Sequence, residues 1–234
     1  MVRRTEILIV DDDEQLAQQL HVSLSHNGYS CSIVYDGRKA LELLEHHTFE
    51  LILLDIGLPG LSGLEVCRRL RAQSLLPPII VLSVHDKEQE IVEAFDLGAD
   101  DYVTKPFGVE VLIARMKVAL RHAKSHEAPV SKAFAVGPFN IDPLQQKAQL
   151  YGKDLDLTRT EYKLLEVLCQ NKGHVLTQKM LLYKVWGDNY GEERHYVHVY
   201  INLLRHKIEP DPTHHHFIKT EHGVGYRFIV EDDE

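Results

Sequence analysis

Short apolar runs alternate with amphipathic stretches over the first 122 residues of the chain. The apolar runs have the length of β-strands and lie at residues 7–10, 31–34, 51–54, 79–82 and 102–103. Four of the five are nearly continuous in Val, Ile and Leu, as expected for strands that are covered on both faces. Helical patterns follow the runs and begin near Glu14, Gly37, Gly63, Lys87 and Val109, the last ending at about His122. Five strands alternating with five helices predict an α/β domain with a doubly wound, five-stranded parallel sheet.

Residues 123–132 interrupt this alternation. They are mostly small and polar, include Pro129 and show no hydrophobic periodicity, which is typical of a linker. We therefore predict a first domain over residues 1–122, a linker over 123–132 and a second domain over 133–234.

The second domain has a different pattern. Short apolar segments punctuated by Pro and Gly over residues 134–157 predict a small antiparallel sheet. Three helical patterns follow, which begin at the capping box Thr158–Glu161, near Thr177 and near Glu192. Two further apolar segments, at 217–220 and 226–230, flank a glycine-bearing turn of the kind found in β-hairpins. This order of elements predicts a winged helix-turn-helix α+β domain.

Composition indicates a globular protein whose charge is unevenly distributed. The chain is 44% hydrophobic and 26% charged, and no run approaches the roughly 18 apolar residues of a membrane span. The N-terminus lacks the features of a signal peptide and the three cysteines have no CxxC spacing, so we expect a cytoplasmic protein without a disulfide framework. Residues 1–129 hold 13 basic and 20 acidic side chains, whereas residues 130–230 hold 13 and 11. The near-neutral second half gives only weak electrostatic support for DNA binding.

Three acidic residues directly follow predicted strands. Asp11 and Asp12 come after the run at 7–10, and Asp55 comes after the run at 51–54. Because the carboxyl ends of parallel strands meet at one edge of a sheet, we expect these carboxylates to share a crevice. Clustered carboxylates repel unless they share a cation, and a site with oxygen ligands alone suits Mg²⁺. Phosphoryl transfer to a carboxylate is the chemistry that requires such a cluster.

Two further polar residues stand at strand ends in the same domain. Ser83 follows the fourth strand and could hydrogen-bond a phosphoryl oxygen, and Lys105 follows the fifth strand and could pair with another. Pro106 is expected to fix the turn after Lys105, with a cis peptide bond as one possibility. Each residue alone is more commonly a helix cap or a solvated charge, but five of them at strand ends favour a functional site.

The segments ILIVDDDE, LILLDIGLPGLSG, IIVLS and GADDYVTKPF together resemble the receiver domain of bacterial response regulators, a flavodoxin/CheY-like fold, over residues 5–122. The resemblance implies that Asp55 accepts a phosphoryl group from a phosphohistidine of a sensor histidine kinase. It also implies that Asp11 and Asp12 hold Mg²⁺ with Asp55 and the main-chain carbonyl of Gly57. Ser83 and Tyr102 would form a switch pair, in which Ser83 moves toward the phosphate and the Tyr102 ring turns inward.

A phosphatase with an aspartate nucleophile is a rival interpretation of the same acids. Such enzymes carry a second acid two residues after the nucleophile, and Gly57 occupies that position here. The glycine favours a domain that keeps its phosphoryl group over an enzyme that turns over external substrates.

The segments LTRTEYKLLEVL, VLTQKMLLYKVWG, LLRHKIEPDP and GVGYRF resemble the output domain of OmpR/PhoB-type regulators over residues 134–230. This resemblance implies a cytoplasmic transcription factor, not an enzyme, that binds double-stranded promoter DNA and works with RNA polymerase. KPFG at 105–108, the spacing of His195, Tyr196 and Tyr200, and HFIKTEHGVGYRF at 216–228 fit the subgroup that regulates Kdp potassium transport.

The same family resemblance implies a homodimer formed through the receiver domains on phosphorylation. Asp101 with Arg115 and Asp96 with Lys117 match the cross-subunit ion pairs of the family. Ile91 and Val111 stand where the family usually has another ion pair, so an apolar contact is expected there. Each pair would contribute about 0.2–1 kcal/mol if it stayed solvated.

The third helix of the second domain is the predicted DNA reader. At 100° per residue, Val197, Ile201, Leu204 and Ile208 form its core face. We expect the other faces to present the DNA-contacting side chains, which are His195, Tyr196, His198, Val199, Asn202, Arg205 and Lys207. Asn202 could contact adenine and Val199 a thymine methyl, whereas Arg205 and Lys207 suit phosphates. Arg227 in the hairpin could reach the sugar-phosphate backbone or the minor groove.

Two alternatives to the Kdp interpretation stay open from the sequence. One is an OmpR/PhoB-type regulator of another operon. The other is a receiver-fold DNA-binding protein whose DNA affinity is independent of phosphorylation.

Overall fold

A computed structural model describes residues 4–72, 77–124, 132–187, 190, 193–211 and 215–230. The chain divides into two compact units between Lys124 and Ser125, inside the segment predicted as a linker. Residues 125–131 of that predicted linker lie outside the described residues. Among the described residues, no helix combines the length and the apolar composition that crossing a membrane requires.

The first unit is the predicted five-stranded parallel sheet with five helices. The strands are β1 (Glu6–Val10), β2 (Ser30–Val34), β3 (Leu51–Asp55), β4 (Ile79–Ser83) and β5 (Asp101–Thr104), in the order β2-β1-β3-β4-β5. The helices are α1 (Glu14–His26), α2 (Gly37–His46), α3 (Gly63–Arg71), α4 (Glu88–Asp96) and α5 (Val109–Lys124). The last helix extends two residues beyond its predicted end, into the predicted linker.

Successive side chains of a strand point to opposite faces of the sheet, and both faces of the central strands are covered. Ile7 and Ile9 of β1 join a buried cluster with Leu20 of α1 and Met116 of α5, while Leu8 on the opposite face of β1 is equally buried. Strand β2 is an exception to the prediction of double coverage, because it lies at the edge of the sheet and is partly exposed along its length.

The second unit begins with a four-stranded antiparallel sheet and continues with helices. The sheet contains β6 (Phe134–Val136), β7 (Phe139–Asp142), β8 (Lys147–Leu150) and β9 (Lys153–Asp154). The first helix, α6 (Arg159–Gln170), begins at the predicted capping box: Glu161 N donates to Thr158 Oγ1, and Thr158 N donates to Glu161 Oε2 at 2.7 Å.

The remaining elements form the helix-turn-helix and the wing. They are β10 (Val175–Thr177), α7 (Gln178–Trp186), α8 (Arg194–Ile208), β11 (Ile218–Glu221) and β12 (Gly225–Phe228). The hairpin of β11 and β12 confirms the prediction, but β10 was not predicted and pairs with β12 to make a three-stranded sheet. The predicted start of α8 at Glu192 lies outside the described residues. The fold as a whole is a receiver-type α/β unit followed by a winged helix-turn-helix.

Candidate functional site

The three predicted carboxylates converge at one end of the parallel sheet. Asp11 directly follows β1 and Asp55 ends β3, two strands that pair side by side with Val10 opposite Leu54. Ligand atoms of Asp11, Asp12 and Asp55 lie within 4.8 Å of one another. Asp11 is fully buried, Asp55 is 8% exposed and Asp12 is open to solvent, so the cluster is a crevice with one open side.

Lys105 holds the cluster together. It follows β5, its peptide bond to Pro106 is cis, and its Nζ donates to Asp11 Oδ2 at 2.7 Å and to Asp55 Oδ2 at 3.1 Å. Burial by itself would lower the pKa of Lys105, but the hydrogen bond to Asp11 and the charges of Asp55 and Asp11 raise it overall. Lys105 is therefore a fixed ammonium beside the Asp55 carboxylate.

Even with this ammonium present, the cluster carries excess negative charge. Burial raises the pKa of Asp11, against the opposing hydrogen bond and charge of Lys105, and the charge of Asp55 raises it further. A divalent cation among these oxygens would relieve that cost, so the donor set fits Mg²⁺.

The side chains of Ser83, at the end of β4, and Tyr102, near the start of β5, approach each other. Ser83 is buried at the end of β4 and its Oγ accepts a hydrogen bond from His85 N at 3.0 Å. The Tyr102 ring is 1% exposed, and its hydroxyl donates to His85 O at 2.8 Å. Burial raises the pKa of Tyr102, and its hydrogen bond with Ser83 only partly offsets the rise. The Tyr102 ring thus occupies an inward position.

Two glycines lie close to Asp55, and one of them allows a close approach of the backbone. A Cβ at Gly63 would lie 2.0 Å from the Asp55 carbonyl oxygen, so a side chain cannot fit there without a shift of the backbone. A Cβ at Gly57 would lie 3.7 Å from the Asp55 carboxylate oxygens, in ordinary contact. The role of Gly63 was not predicted, although the LSG segment that contains it belongs to the receiver motif.

The predicted dimer residues do not all lie on the surface. Arg115 Nη1 donates to Asp101 Oδ1 at 3.0 Å within one chain, and both side chains are buried. The expectation of a cross-subunit Asp101–Arg115 pair is therefore corrected to an internal pair. Ile91 is also buried in its own unit, so it offers no surface for the expected apolar contact with Val111, which is 50% exposed.

The core face of α8 is confirmed, but part of its predicted reading face is not on the surface. Val199 and Tyr196 are each only 3% exposed, and Tyr196 packs against Trp186 with ring centroids 6.4 Å apart. The predicted thymine contact of Val199 and the predicted DNA contact of Tyr196 are therefore wrong for this arrangement.

Arg205 is likewise an internal residue. It is 4% exposed, and its Nη2 donates to Ile218 O and to Thr220 Oγ1, each at 2.8 Å. The guanidinium carbon lies 5.7 Å from the centre of the Tyr226 ring. Arg205 connects α8 to the wing, so its predicted role as a phosphate ligand is corrected.

Among the described side chains, those that stay accessible on the reading side are mostly neutral or already paired. His195 and His198 are exposed and Asn202 is partly exposed. Lys207 Nζ donates to Glu161 Oε2 at 2.7 Å, and Arg227 Nε donates to Glu221 Oε1 at 2.8 Å.

Comparison with known families agrees with both units. The response regulator receiver domain matches residues 7–117, and the family described as transcriptional regulatory protein, C terminal, matches residues 152–228. The fold and the carboxylate cluster define a DNA-binding response regulator. The chain belongs to the OmpR/PhoB-type response regulators.

Individual relatives carry different names. The chain is 38% identical over 224 residues to the transcriptional regulatory protein KdpE of Mycobacterium tuberculosis, which covers 96% of this chain and 99% of that protein. It is 40% identical over 220 residues to the response regulator MprA of Mycobacterium bovis, covering 94% and 95%. Similarity therefore identifies the family and not the regulated operon.

Solved structures show the same relationship. A RitR mutant in which a cysteine is replaced by serine is 29% identical with a TM-score of 0.76, and the match covers 96% of this chain and 98% of the RitR chain. DrrB, an OmpR/PhoB homolog from Thermotoga maritima, is 31% identical with a TM-score of 0.51 and covers 97% and 100%.

Proposed function

We propose that this protein is a transcription factor whose DNA binding is switched by transfer of a phosphoryl group to Asp55. The observation that carries the proposal is the cluster of Asp11, Asp12 and Asp55 within 4.8 Å, with Lys105 Nζ bonded to two of its members. The cluster provides a nucleophilic carboxylate with one open side and a fixed positive charge beside it, which are the requirements of this chemistry.

In the proposed reaction, an oxygen of Asp55 attacks the phosphorus atom of a phosphohistidine on a sensor histidine kinase. The new O–P bond forms as the N–P bond breaks, and the imidazole leaves with the electron pair of that bond. Lys105 balances the charge of one phosphoryl oxygen, and the Ser83 hydroxyl donates a hydrogen bond to another.

Mg²⁺ is the cofactor that we propose for this step. Asp11, Asp12, Asp55 and the main-chain carbonyl of Gly57 would hold it, and when bound it neutralises charge on the phosphoryl oxygens. The proposal is supported by the raised pKa of Asp11, which reflects burial and the neighbouring charge of Asp55.

Gly57 distinguishes a phosphate-holding domain from a phosphatase. The position of a Cβ on this residue is 3.7 Å from the Asp55 carboxylate, so an acidic side chain there would be adjacent to the acyl phosphate. Glycine leaves the general-acid position without a side chain, which supports slow loss of the phosphoryl group.

The switch that we propose joins Ser83 to Tyr102. When Ser83 turns toward the phosphoryl group, its bonds near His85 and Tyr102 rearrange, and the Tyr102 ring fixes the start of α4. The proposal is supported by the contact of both side chains with the same short segment at His85.

The output that we propose is binding to promoter DNA together with RNA polymerase. His195, His198 and Asn202 would face the bases, and Lys207 and Arg227 would approach phosphates after leaving their acidic partners. A potassium-uptake operon is the target that we infer, from the KdpE relative and the histidine–tyrosine spacing of α8.

Phosphorylation is proposed to act through a receiver homodimer. Asp96 and Lys117 are exposed, and we propose that they pair across the twofold axis, with Val111 making an apolar contact. Analytical ultracentrifugation with a small phosphodonor should show that Lys117→Glu weakens the dimer and that adding Asp96→Lys restores it. Failure of the double variant to restore the dimer would contradict this pairing.

The function is tested by DNA affinity measured with and without a small phosphodonor and Mg²⁺. We expect the treated wild-type protein to bind a promoter fragment at least about tenfold more tightly, a difference of about 1.4 kcal/mol, and Asp55→Asn to show no change. Chelation of Mg²⁺ should abolish the increase.

The second candidate is a receiver-fold DNA-binding protein that acts without phosphate. The buried position of the Tyr102 ring, whose hydroxyl donates to His85 O at 2.8 Å, is compatible with this candidate. Equal DNA affinity of the treated wild type, the untreated wild type and Asp55→Asn would support this candidate.

A further inference from the structure

A chain of hydrogen bonds links the wing to the side chain on α8 that is best suited to reading a base. Asn202 Nδ2 lies 3.3 Å from His198 Nε2, and His198 Nδ1 lies 3.1 Å from the Tyr226 hydroxyl oxygen. Both ring nitrogens of His198 are therefore engaged, one with the helix and one with β12.

The chemistry of these groups fixes where the protons are. The amide nitrogen of Asn202 can only donate, so Nε2 of a neutral His198 must accept from it and the ring proton must sit on Nδ1. His198 Nδ1 then donates to the Tyr226 hydroxyl oxygen. In this arrangement Asn202 keeps its carbonyl oxygen and its second N–H for another partner.

That remaining pair of groups is complementary to adenine. The major-groove edge of adenine offers one donor, N6, and one acceptor, N7, which a carboxamide with one free oxygen and one free N–H matches. A protonated His198 would present an N–H at Nε2 instead, and the Asn202 amide would have to turn its oxygen toward the ring. Its two N–H groups would then face the DNA, where they fit the two acceptors of guanine.

We propose that His198 is a positioning residue for base reading, whose neutral ring orients the Asn202 amide for adenine and whose protonation reverses that orientation. The inference rests on the proposed DNA-binding function and specifies how α8 reads its site. The histidine side chain is suited to such a role because it ordinarily titrates near about pH 6.5.

The charged groups near this network are held by other partners. Tyr226 of β12 contacts the His198 ring. Arg205 of α8 lies 5.7 Å from the Tyr226 ring and is held by Ile218 O and Thr220 Oγ1. Glu221 and Arg227 of the wing are paired with each other at 2.8 Å. The side chain of Arg194, one turn before His198, lies outside the described residues.

A matched control exists on the same helix. His206 is also exposed, but its Nδ1 donates to the main-chain oxygen of Asn202 at 2.7 Å and not to the amide side chain. His206→Gln therefore removes a similar titratable charge from α8 without changing what holds the Asn202 amide. His198→Gln retains a hydrogen-bonding group at the position and removes the titration.

The experiment uses the full-length protein and a duplex that the wild type enriches from a randomised library at about pH 7.5. The base pair read by Asn202 is the one at which Asn202→Ala loses discrimination. The measured quantity is the ratio of affinities for adenine and guanine at that position, because a ratio cancels the non-specific effect of protein charge.

We expect the adenine preference of the wild type and of His206→Gln to fall about tenfold between about pH 7.5 and about pH 5.5. His198→Gln should show an adenine preference that does not change with pH. Its Trp186 fluorescence should show that the second unit is folded. A pH-independent preference in the wild type, or the same fall in His198→Gln, would overturn the inference while leaving DNA binding intact. Failure to enrich any duplex would instead contradict the proposed function itself.

Discussion

The carboxylate cluster of the first unit and the reading helix of the second place their polar side chains in different ways. At the cluster, residues from the ends of β1, β3 and β5 meet, and Lys105 lies within 3.1 Å of both Asp11 and Asp55. On α8 the polar side chains all come from one helix. Arg205 is buried by the packing of the domain, and Lys207 is hydrogen-bonded to Glu161. Sheet topology fixes the first site, whereas the second consists of the side chains that remain after the domain has packed.

The largest effect that we expect from this comparison is at Gly63. Gly63→Ala would place a Cβ 2.0 Å from the Asp55 carbonyl oxygen, and relieving that overlap must move β3 or α3. We predict a loss of at least about 3 kcal/mol in the free energy of unfolding of the first unit, together with loss of phosphorylation. Urea-dependent labelling of the Cys67 thiol on α3 measures the unfolding.

Gly57→Ala is the matched control, because its Cβ would only make ordinary contact at 3.7 Å. We expect a change within about 0.5 kcal/mol for this variant. Equal stability of the two variants would contradict the claim that backbone approach fixes the position of Asp55.

The second prediction tests whether Arg205 belongs to the interior or to the DNA surface. Arg205→Met would leave the Ile218 carbonyl without its donor and would remove the ring contact with Tyr226. We predict a loss of about 2 kcal/mol in the unfolding free energy of the second unit. The fluorescence of Trp186, the single tryptophan of the chain, measures it.

Lys219→Met serves as its control, since Lys219 is an exposed cation on β11. Its stability should change by no more than about 0.5 kcal/mol. If Arg205→Met unfolds like the wild type and loses only DNA affinity, Arg205 is a DNA ligand and not an internal residue.

The third prediction concerns the three free cysteines, which report on both units without any loss of stability. Burial raises the pKa of Cys31 to about 11 and of Cys67 to about 12, and it also raises the pKa of Cys169. Because the thiolate is the reactive form, at about pH 8 Cys31 should react roughly 100-fold more slowly than an unstructured thiol.

Cys67 and Cys169 are buried, whereas Cys31 is partly exposed, so Cys67 and Cys169 should react after unfolding of their own units. Mass spectrometry of the alkylated protein at increasing urea would then give a separate transition for each unit. Rapid reaction of Cys67 in the native protein would contradict the packing of α3.

The same contrast explains what could be predicted from the sequence. Parallel strands end at one edge of a sheet, so the positions of Asp11, Asp55 and Lys105 follow once the strands are recognised. The edge position of β2 and the strand β10 did not follow, because coverage and pairing depend on which elements become neighbours.

The reading face was harder to predict because helical periodicity assigns faces only coarsely. Val199 lies two positions from Val197 and Ile201 of the core face, and α7 and the wing decide how far burial extends around the helix. The burial of Arg205 could not be predicted for the same reason, because its hydrogen bonds go to Ile218 and Thr220, which are distant in sequence. Similarly, no local pattern distinguishes an internal Asp101–Arg115 pair from one that crosses subunits.

The most direct test of the central claim is to locate the phosphoryl group. The protein is treated with a small phosphodonor and Mg²⁺, the acyl phosphate is trapped by reduction with borohydride, and peptides are sequenced by mass spectrometry. We predict that the trapped product is at Asp55, that it is absent without Mg²⁺ and that Asp55→Asn is unlabelled. Trapping at another residue, or equal labelling of Asp55→Asn, would contradict it.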